Sequence, residues 1–551
     1  MELNKIEKLE WLSDEARAFL NGDYIQDQTV EERYNDIADR LEVLSGIEGF
    51  GRRWKYYFNQ GWTTLSSPII SNLGKSTGLP ASCNMLKLED NLESILSSEY
   101  EMGILASNGA GTSRNFSNIR AKGEKYGVNG KSEGIMCWIE SHADKIHKIS
   151  QGGVRRGFLT AYLSVAHPEI MDFLTIGREG SKIKRITTGV TIPAGWLESM
   201  LEGDESKWEI WREIHEARAE IGRPYILFED NCNKGKHQVY VDNGFWLDTS
   251  NICSECIEYT DFEKEFLCVL MSVNLGDYRA WKGTDFIFDC NLALDCVTSE
   301  YIQKASKIKG HEKAVKFAEE HRAIGVGVMG LMTLFQQESI VFGSLQSHFL
   351  NNDIFKYIRQ ESDRASKWMA ANWGEPSYLK GYGDRNTSRI AIAPTKSTSF
   401  IRSVSEGTML LDSNYNTKDL AKTQTEWKNP ELKKVLNSYG KDDDKTWNDI
   451  LENGGSVQHL DFLSEHEKAV FRIATEISQM DVIELAAIRT PYIDQSQSIN
   501  LTIPKGADGL EVISLSLEAW KRGIKTLYYQ HNVNSAREMT QSLLTCSSCE
   551  A

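Results

Sequence analysis

The sequence predicts an α/β protein preceded by a helical segment. Two patterns carry this. The opening stretch places apolar residues at helical spacing. From about Leu79 onward, short apolar or β-branched runs broken by glycine, proline and asparagine alternate with amphipathic helices. Such alternation is what a sheet covered by helices requires, and closure into a barrel is one natural solution.

The elements follow in order. Ile6, Leu9, Leu12, Ala16, Phe19 and Leu20 fall at helical spacing. A capping box, Thr29-Val-Glu-Glu32, opens a second helix with Tyr34, Ile37, Ala38, Leu41 and Leu44 on one face, and Gly46 is its predicted stop. Strands are expected at Thr187–Ile192, Pro224–Phe228, Phe266–Val273, Arg389–Ile392 and Ile499–Ile503. Ser464-Glu-His-Glu467 opens another helix, with Val470, Phe471, Ile473, Ala474 and Ile477 following. Residues 412–456 are polar, carry Lys441-Asp-Asp-Asp-Lys445, and read as a solvated loop between helices. The end, Thr545-Cys-Ser-Ser-Cys-Glu-Ala551, has little apolar content and reads as a mobile tail. Three regions are therefore expected: helical 1–75, a catalytic α/β domain over 76–535, and a tail over 536–551.

Composition narrows the function. A chain of 551 residues with 40% hydrophobic and 25% charged residues is of soluble globular type. Acidic residues outnumber basic ones 78 to 62, a formal charge of −16, which argues against direct binding to nucleic acid. Met1 to Glu10 lacks the apolar stretch of a secretory signal, and the apolar run Phe266–Met271 is too short to span a bilayer. A cytoplasmic protein is expected, in the host cytoplasm for a viral one, where structural disulfides are disfavoured. The 10 cysteines then need another account. Most read as core thiols. Cys253-Ser-Glu-Cys256 has C-x-x-C spacing, but no second pair lies nearby to complete a zinc site, and no metal is expected.

The most informative segment is Asp248-Thr-Ser-Asn-Ile-Cys-Ser-Glu255. Asn251, Cys253 and Glu255 alternate, so an extended backbone would point an amide, a thiol and a carboxylate to one side. Spacing alone fits a polar strand end or turn equally well. Asn-x-Cys-x-Glu in this setting resembles the active-site finger loop of ribonucleotide reductases. Cys268-Val-Leu-Met-Ser-Val-Asn-Leu-Gly276 resembles the family strand with one redox cysteine. Ser67-Pro-Ile-Ile70 and Ser82-Cys83 resemble the segment holding the other cysteine and the substrate, and Pro394-Thr-Lys-Ser-Thr-Ser399 the phosphate loop. Tyr492-Ile-Asp-Gln-Ser-Gln-Ser498 and Lys525-Thr-Leu-Tyr-Tyr-Gln530 complete seven motifs in family order, over roughly residues 60–530.

The resemblance implies a ten-stranded α/β barrel around a central finger loop, in a compact, phage-like class I large (catalytic) subunit. It implies that Cys253 carries the thiyl radical that abstracts the ribose 3′-hydrogen, with Glu255 as base on the 3′-hydroxyl and Asn251 binding the ribose. Cys83 and Cys268 would supply two electrons and close to a disulfide, reopened by a Cys546/Cys549 shuttle through exchange. Half of a zinc site is the alternative for that last pair. Tyr529 and Tyr528 would relay the radical from a separate metal-containing, or metal-free radical, small subunit. By pattern alone, the pair reads as a strand with one ring inward and one outward. Ser67, Ser82, Thr395, Lys396, Ser397, Thr398 and Ser399 would bind substrate. Asp90, Arg120, Gln151 and Arg155 would bind a dNTP or ATP specificity effector, although Gln151-Gly-Gly-Val-Arg155 alone is a glycine turn. The reaction is reduction of ribonucleotides, taken as diphosphates. No cofactor bound tightly in this chain is expected, and the implied partners are the small (beta) subunit, thioredoxin or glutaredoxin, and a second copy in an effector-dependent homodimer. The first redox cysteine at position 83 leaves no room for an N-terminal ATP-cone besides the helices. Two rival readings are an adenosylcobalamin-dependent (class II) reductase, against which the tyrosine pair speaks, and a catalytically silent nucleotide-binding regulator.

Gly325-Val-Gly-Val-Met-Gly330 satisfies G-x-G-x-x-G, but the sequence ahead of it is helical and charged rather than a strand. These glycines read as positions of close helix packing, not as a dinucleotide site.

Overall fold

The structure is a computed structural model describing residues 1–25, 27–81, 83–149, 157–420 and 423–533. The first helix starts later than its apolar spacing predicts. It spans Asp14–Asp23, with the Ser13 hydroxyl accepting from Ala16 N. Ile6, Leu9 and Leu12 are buried, but in irregular chain laid along the next helix. Asn35 there bonds both N and O of Ile6, and Glu31 accepts from Leu9 N at 3.1 Å. Side chains thus satisfy the backbone groups that a helix would have satisfied internally. The second helix, Val30–Ser45, has the predicted reciprocal Thr29/Glu32 box and ends at Gly46 with φ 66°. A third, Phe50–Gln60, leads into strand β1 (Thr63–Leu65), so the helical opening ends inside a sheet.

Five parallel strands form one half of a barrel: β2 (Cys83–Lys87), β3 (Gly111–Asn115), β4 (Phe158–Ser164), β5 (Thr187–Ile192) and β6 (Tyr225–Phe228). The second half begins with β7 (Phe266–Cys268) continuing into β8 (Leu270–Asn274), then β9 (Gly325–Met329). Parallel bridges Val326–Ile390 and Ile392–Gln497 extend it through Ile390–Ile392 to β10 (Leu501–Ile503). The segment β11 (Thr526–Leu527) and β12 (Gln530–Asn532) completes it, β12 pairing in parallel with β10. The halves meet antiparallel at two seams, β2 against β7 and β6 against β11. Five strands from each half close a ten-stranded barrel, and β1 adds antiparallel to β8. One hydrophobic core runs from Ile6 to Leu527. At the first seam Arg114 pairs with Glu265 at 2.8 Å, both side chains fully buried, an arrangement in which losing either partner strands a charge.

Two expectations are corrected here. Gly325 and Gly327 lie in strand β9, not against a helix. A Cβ on Gly327 would stand 2.6 Å from the Ala391 carbonyl, so glycine permits close approach of neighbouring barrel segments. Residues 412–456 are not a solvated loop. A hairpin, Tyr415–Leu420 with Thr423–Lys428, and helices Pro430–Ser438 and Asp444–Glu452 contribute to a separate small core. Tyr415, Leu432, Trp447 and Ile450 pack there with Val470 and Phe471. Polar residues cover this module, which is why composition alone read as loop. The Ser464 capping box is present, but its helix stops at Val470 and a 3-10 turn follows at Ala474–Glu476. Among the described residues, no helix is long and apolar enough to cross a membrane.

Candidate active site

The connection between β6 and β7 enters the barrel and brings Asn251, Cys253 and Glu255 to its interior, where they are 0%, 6% and 2% exposed. The predicted extended alternation is not what gathers them. Asn251 N donates to Cys256 O at 3.2 Å, and Cys256 N to Asn251 Oδ1 at 3.0 Å. Ser254 turns the chain with φ 66°, so Cys253 sits near the tip of a closed turn. A short side chain that bonds nearby backbone favours a turn over an extended run, and Asn251 does this. Its Nδ2 also donates to Glu255 Oε1 at 3.0 Å, orienting the carboxylate.

The barrel wall holds the turn through its carbonyls. Tyr162 OH, on β4, donates to Asn251 O at 2.9 Å, Ser498 Oγ to Cys253 O at 2.6 Å, and Thr526 Oγ1 to Ser254 O at 2.9 Å. Ser496 N donates to Glu255 O at 2.8 Å, and Ser498 Oγ lies 3.3 Å from Glu255 Oε2. Each such bond is worth about 0.5–1.5 kcal/mol net, but leaving one of these buried carbonyls unpaired costs about 1–3 kcal/mol. The turn is therefore firmly fixed in one geometry.

Cys83 and Cys268 lie directly opposite in the antiparallel register of β2 and β7. Opposed residues in such a pair have Cα atoms roughly 4.5–5.5 Å apart, within the span a disulfide needs. For Cys268 only the backbone is described. Cys83 packs in one cluster with Ile252, Cys253, Tyr225, Tyr528 and Tyr529. Tyr528 and Tyr529 are both buried, 2% and 8% exposed, instead of one inward and one outward. They occupy the break between β11 and β12, where strict alternation lapses. Their ring centroids are 4.4 Å apart, and Tyr225 stands 4.6 and 5.1 Å from them.

The predicted phosphate loop is the start of a helix, Lys396–Arg402, with Thr395 in the left-handed region at φ 63°. Several hydroxyls expected to cradle phosphate serve the loop itself. Thr395 Oγ1 accepts from Gly407 N, Thr398 Oγ1 donates to Thr395 O, and Ser399 Oγ to Lys396 O. Ser397 Oγ is buried with no partner among the described residues. Ser67 is buried at the start of helix Ser67–Asn72, just past Thr64, whose hydroxyl donates to Thr398 O at 3.1 Å. A cavity of about 730 Å³ is lined by Lys396, Ser498, Tyr528 and Tyr529, so one space connects the loop to the tyrosine pair. Asp90 and Arg120 are brought together, Arg120 Nε donating to Asp90 at 2.7 Å. Ser82, Gln151, Arg155, Cys546 and Cys549 lie outside the described residues. Among the described residues, no three His, Cys, Asp or Glu side chains group as metal ligands.

The family model for the ribonucleotide reductase barrel domain matches residues 81–209, 205–380 and 376–530. The chain belongs to the ribonucleotide reductase family. The alpha subunit of the Actinobacillus ureae class Id ribonucleotide reductase superposes on this reductase with a TM-score of 0.90 and 38% identity, covering 98% of this chain and 99% of that one. A putative ribonucleoside-diphosphate reductase large subunit of Frog virus 3 is 29% identical over 94% of this chain and 95% of its own length. The corresponding large subunit of Danio rerio is 27% identical over 91% of this chain and 72% of its own. The reductase is of the class I large-subunit type.

Sequence reasoning missed the residues that hold the reductase's turn. Ser498 fell within a quoted motif without a role, and Tyr162 gave no signal. Arg218 is fully buried, donates to Pro224 O and, at 3.0 Å, to Tyr528 O, and burial pushes its guanidinium down to about 9. Gly189 did leave a trace, as a glycine inside a strand. A Cβ there would stand 2.3 Å from the ring of Tyr162, whose hydroxyl holds Asn251. Gly189→Ala should therefore displace that ring, cost about 1–3 kcal/mol as overpacking does, and lower turnover through the turn. Thermal unfolding beside a deoxynucleotide assay checks this. Unchanged values in both would mean Tyr162 does not position the turn.

Proposed function

We propose that this chain reduces ribonucleoside diphosphates to 2′-deoxyribonucleoside diphosphates by thiyl-radical chemistry. The observation that carries the reading is the meeting, inside the barrel, of a Cys253 turn holding Asn251 and Glu255 with a β2/β7 register that opposes Cys83 and Cys268. In this reading Cys253 abstracts the 3′-hydrogen and later returns it. Glu255, oriented by Asn251 and Ser498, takes the 3′-hydroxyl proton, a role that needs the short reach a buried carboxylate has here. The 2′-oxygen leaves as water, and the two electrons come from the Cys83/Cys268 dithiol, which closes to a disulfide. A partner small subunit supplies the radical, entering through Tyr529 and Tyr528, and the packed rings of those tyrosines support this route.

The dNTP or ATP effector is assigned, in the same reading, to Asp90, Arg120, Gln151 and Arg155. Asp90 directly precedes Asn91, the cap of helix Leu92–Ser107, which exposes Leu92, Leu96 and Tyr100 at successive turns. An apolar stripe of that kind supports a homodimer whose contact adjoins the effector site. Formation of deoxynucleoside diphosphates should require a small subunit and a dithiol reductant. Failure with every ribonucleotide in the presence of a competent small subunit would refute the reading.

The tail cysteines give a sharper test. Cys546→Ser with Cys549→Ser should allow about one turnover per chain from the preformed dithiol, then stall when thioredoxin is the reductant. Product counted per chain in rapid-quench experiments reads this directly. Sustained turnover with thioredoxin alone would show that another route reopens the disulfide.

A further inference from the structure

The turn is held by barrel strands, but its exit is held differently. Glu258, three residues beyond Glu255, is 1% exposed. Its Oε2 accepts from the Tyr240 hydroxyl and lies 3.3 Å from Thr387 Oγ1. Tyr240 belongs to the short helix Gln238–Asp242, and its hydroxyl is 3.0 Å from Nδ1 of His321, the last residue of helix Glu312–His321. His321 is fully buried between the rings of Phe317 and Tyr378, at 4.4 and 5.1 Å. Its carbonyl accepts from Thr387 N at 3.1 Å. Four pieces of the fold thus converge on one carboxyl group.

None of them offers Glu258 a cation within ion-pair distance among the described residues. Asp494 faces it, bracketed by Arg359 and Arg389 at 3.6 and 3.4 Å. Lys525 is near, but its ammonium is taken by the carbonyls of Ile493, Asp494 and Gln495. Lys264 lies over the Tyr378 ring and pairs with Glu320 at 3.4 Å. Burial pushes Glu258 up to about 7, with Asp494 adding and hydrogen bonds from Ser388, Tyr240 and Thr387 opposing. Burial, helped by Lys264, pushes His321 down to about 3, so its imidazole is neutral. A carboxyl group in this setting destabilises the fold as it ionises, and a neutral side chain of the same size would not.

We propose that Glu258 is a positioning residue for the reaction: with Tyr240 and His321 it forms a buried hydrogen-bonded chain that fixes the exit of the reactive turn, most firmly while Glu258 is neutral. This rests on Asn251–Glu255 being the reacting segment, as proposed above. The donors run in one direction, from His321 Nδ1–H to Tyr240 O, and from Tyr240 O–H to Glu258 Oε2, while the carboxyl proton sits on Oε1, which none of these donors uses. Loss of that proton leaves a buried charge with no cation beside it, which opening to water relieves, so the exit of the turn slackens as Glu258 ionises.

The test compares wild type, Glu258→Gln and Tyr240→Phe in the full chain with its small subunit. Wild-type kcat should fall as pH rises through an inflection near 7, with KM little changed. In Glu258→Gln that inflection disappears, because the amide oxygen accepts the same donors at every pH. In Tyr240→Phe it moves upward, because the carboxylate has lost a donor. Two readouts need no activity. Glu258 has a folded-state value near 7, above its ordinary 4.5, so wild type loses stability as pH rises between them. The Tm of Glu258→Gln relative to wild type should therefore climb across that window. Amide exchange over residues 249–258, corrected for its intrinsic pH dependence, should be faster in wild type at pH about 8 than at about 6, and unchanged in the glutamine variant. Identical pH profiles and exchange in wild type and Glu258→Gln would overturn the proposal. If no partner elicits reductase activity, the function reading fails, while the Tm and exchange results still decide the positioning claim.

Discussion

Cys253→Ser is expected to abolish deoxynucleotide formation, by more than about 10⁴-fold, equivalent to over roughly 5 kcal/mol of barrier. The thiol is near the tip of the turn, and the wall contacts described above hold the turn through backbone carbonyls. Serine keeps those contacts and nearly the same volume. It does not supply the hydrogen-abstracting radical, because its O–H bond is too strong to be broken in exchange for the weaker phenolic O–H of a tyrosine. The variant should therefore bind substrate and effector with affinities close to wild type and unfold at nearly the same temperature. Equilibrium binding, thermal unfolding and product formation on one preparation check all three. Normal product formation would remove Cys253 from the mechanism and leave the barrel's interior without its proposed radical.

Tyr528→Phe and Tyr529→Phe are each expected to fold, bind nucleotide and assemble with a small subunit, yet give no dCDP from CDP. Phenylalanine preserves the tilted and edge-on ring contacts with Tyr225 but lacks the hydroxyl whose proton must move when the ring loses an electron. A purely structural role predicts something else: about 0.5–1.5 kcal/mol of lost stability with most activity retained. Measuring dCDP formation beside thermal unfolding separates the two. A folded variant with more than a small fraction of wild-type activity would refute the relay. Activity of the unmodified chain with adenosylcobalamin and no partner would refute radical entry from outside altogether.

Much of the fold was legible because local rules and tertiary needs agree. The boxes at Thr29 and Ser464 use short-range bonds that any sequence reader can see, and Thr187–Ile192 is a strand end to end. Reading failed where a distant partner overrides the local pattern. Ile6, Leu9 and Leu12 have helical spacing, yet Asn35 and Glu31 take their backbone groups and no helix forms there. Gly325 and Gly327 are explained by Leu270 and Ala391 in neighbouring barrel segments, which spacing does not reveal. The site shows the same division. Asn251, Cys253 and Glu255 were legible as a motif, but not the turn that gathers them, since Ser254's φ is set by the whole barrel interior. Arg218 and Tyr162 gave no local signal, because the site backbone each holds, at Tyr528 and Asn251, is far away in sequence.

The order of the strands has a consequence for how the chain becomes active during synthesis. The first half-barrel, residues 83–228, is contiguous and can pair as it emerges, since each parallel neighbour follows the last. The Cys253 turn comes next, but three of its anchors, Ser496, Ser498 and Thr526, arrive some 240–270 residues later. Pairing across such separations is slow relative to local folding. Until the last strands close the seam, the turn has only Tyr162 among the wall contacts described above, and Cys253 has no fixed neighbours from the second half. On the role proposed for Cys253, its thiol is placed for reaction only when the barrel is complete, and a nascent or partly folded chain should form no deoxynucleotide.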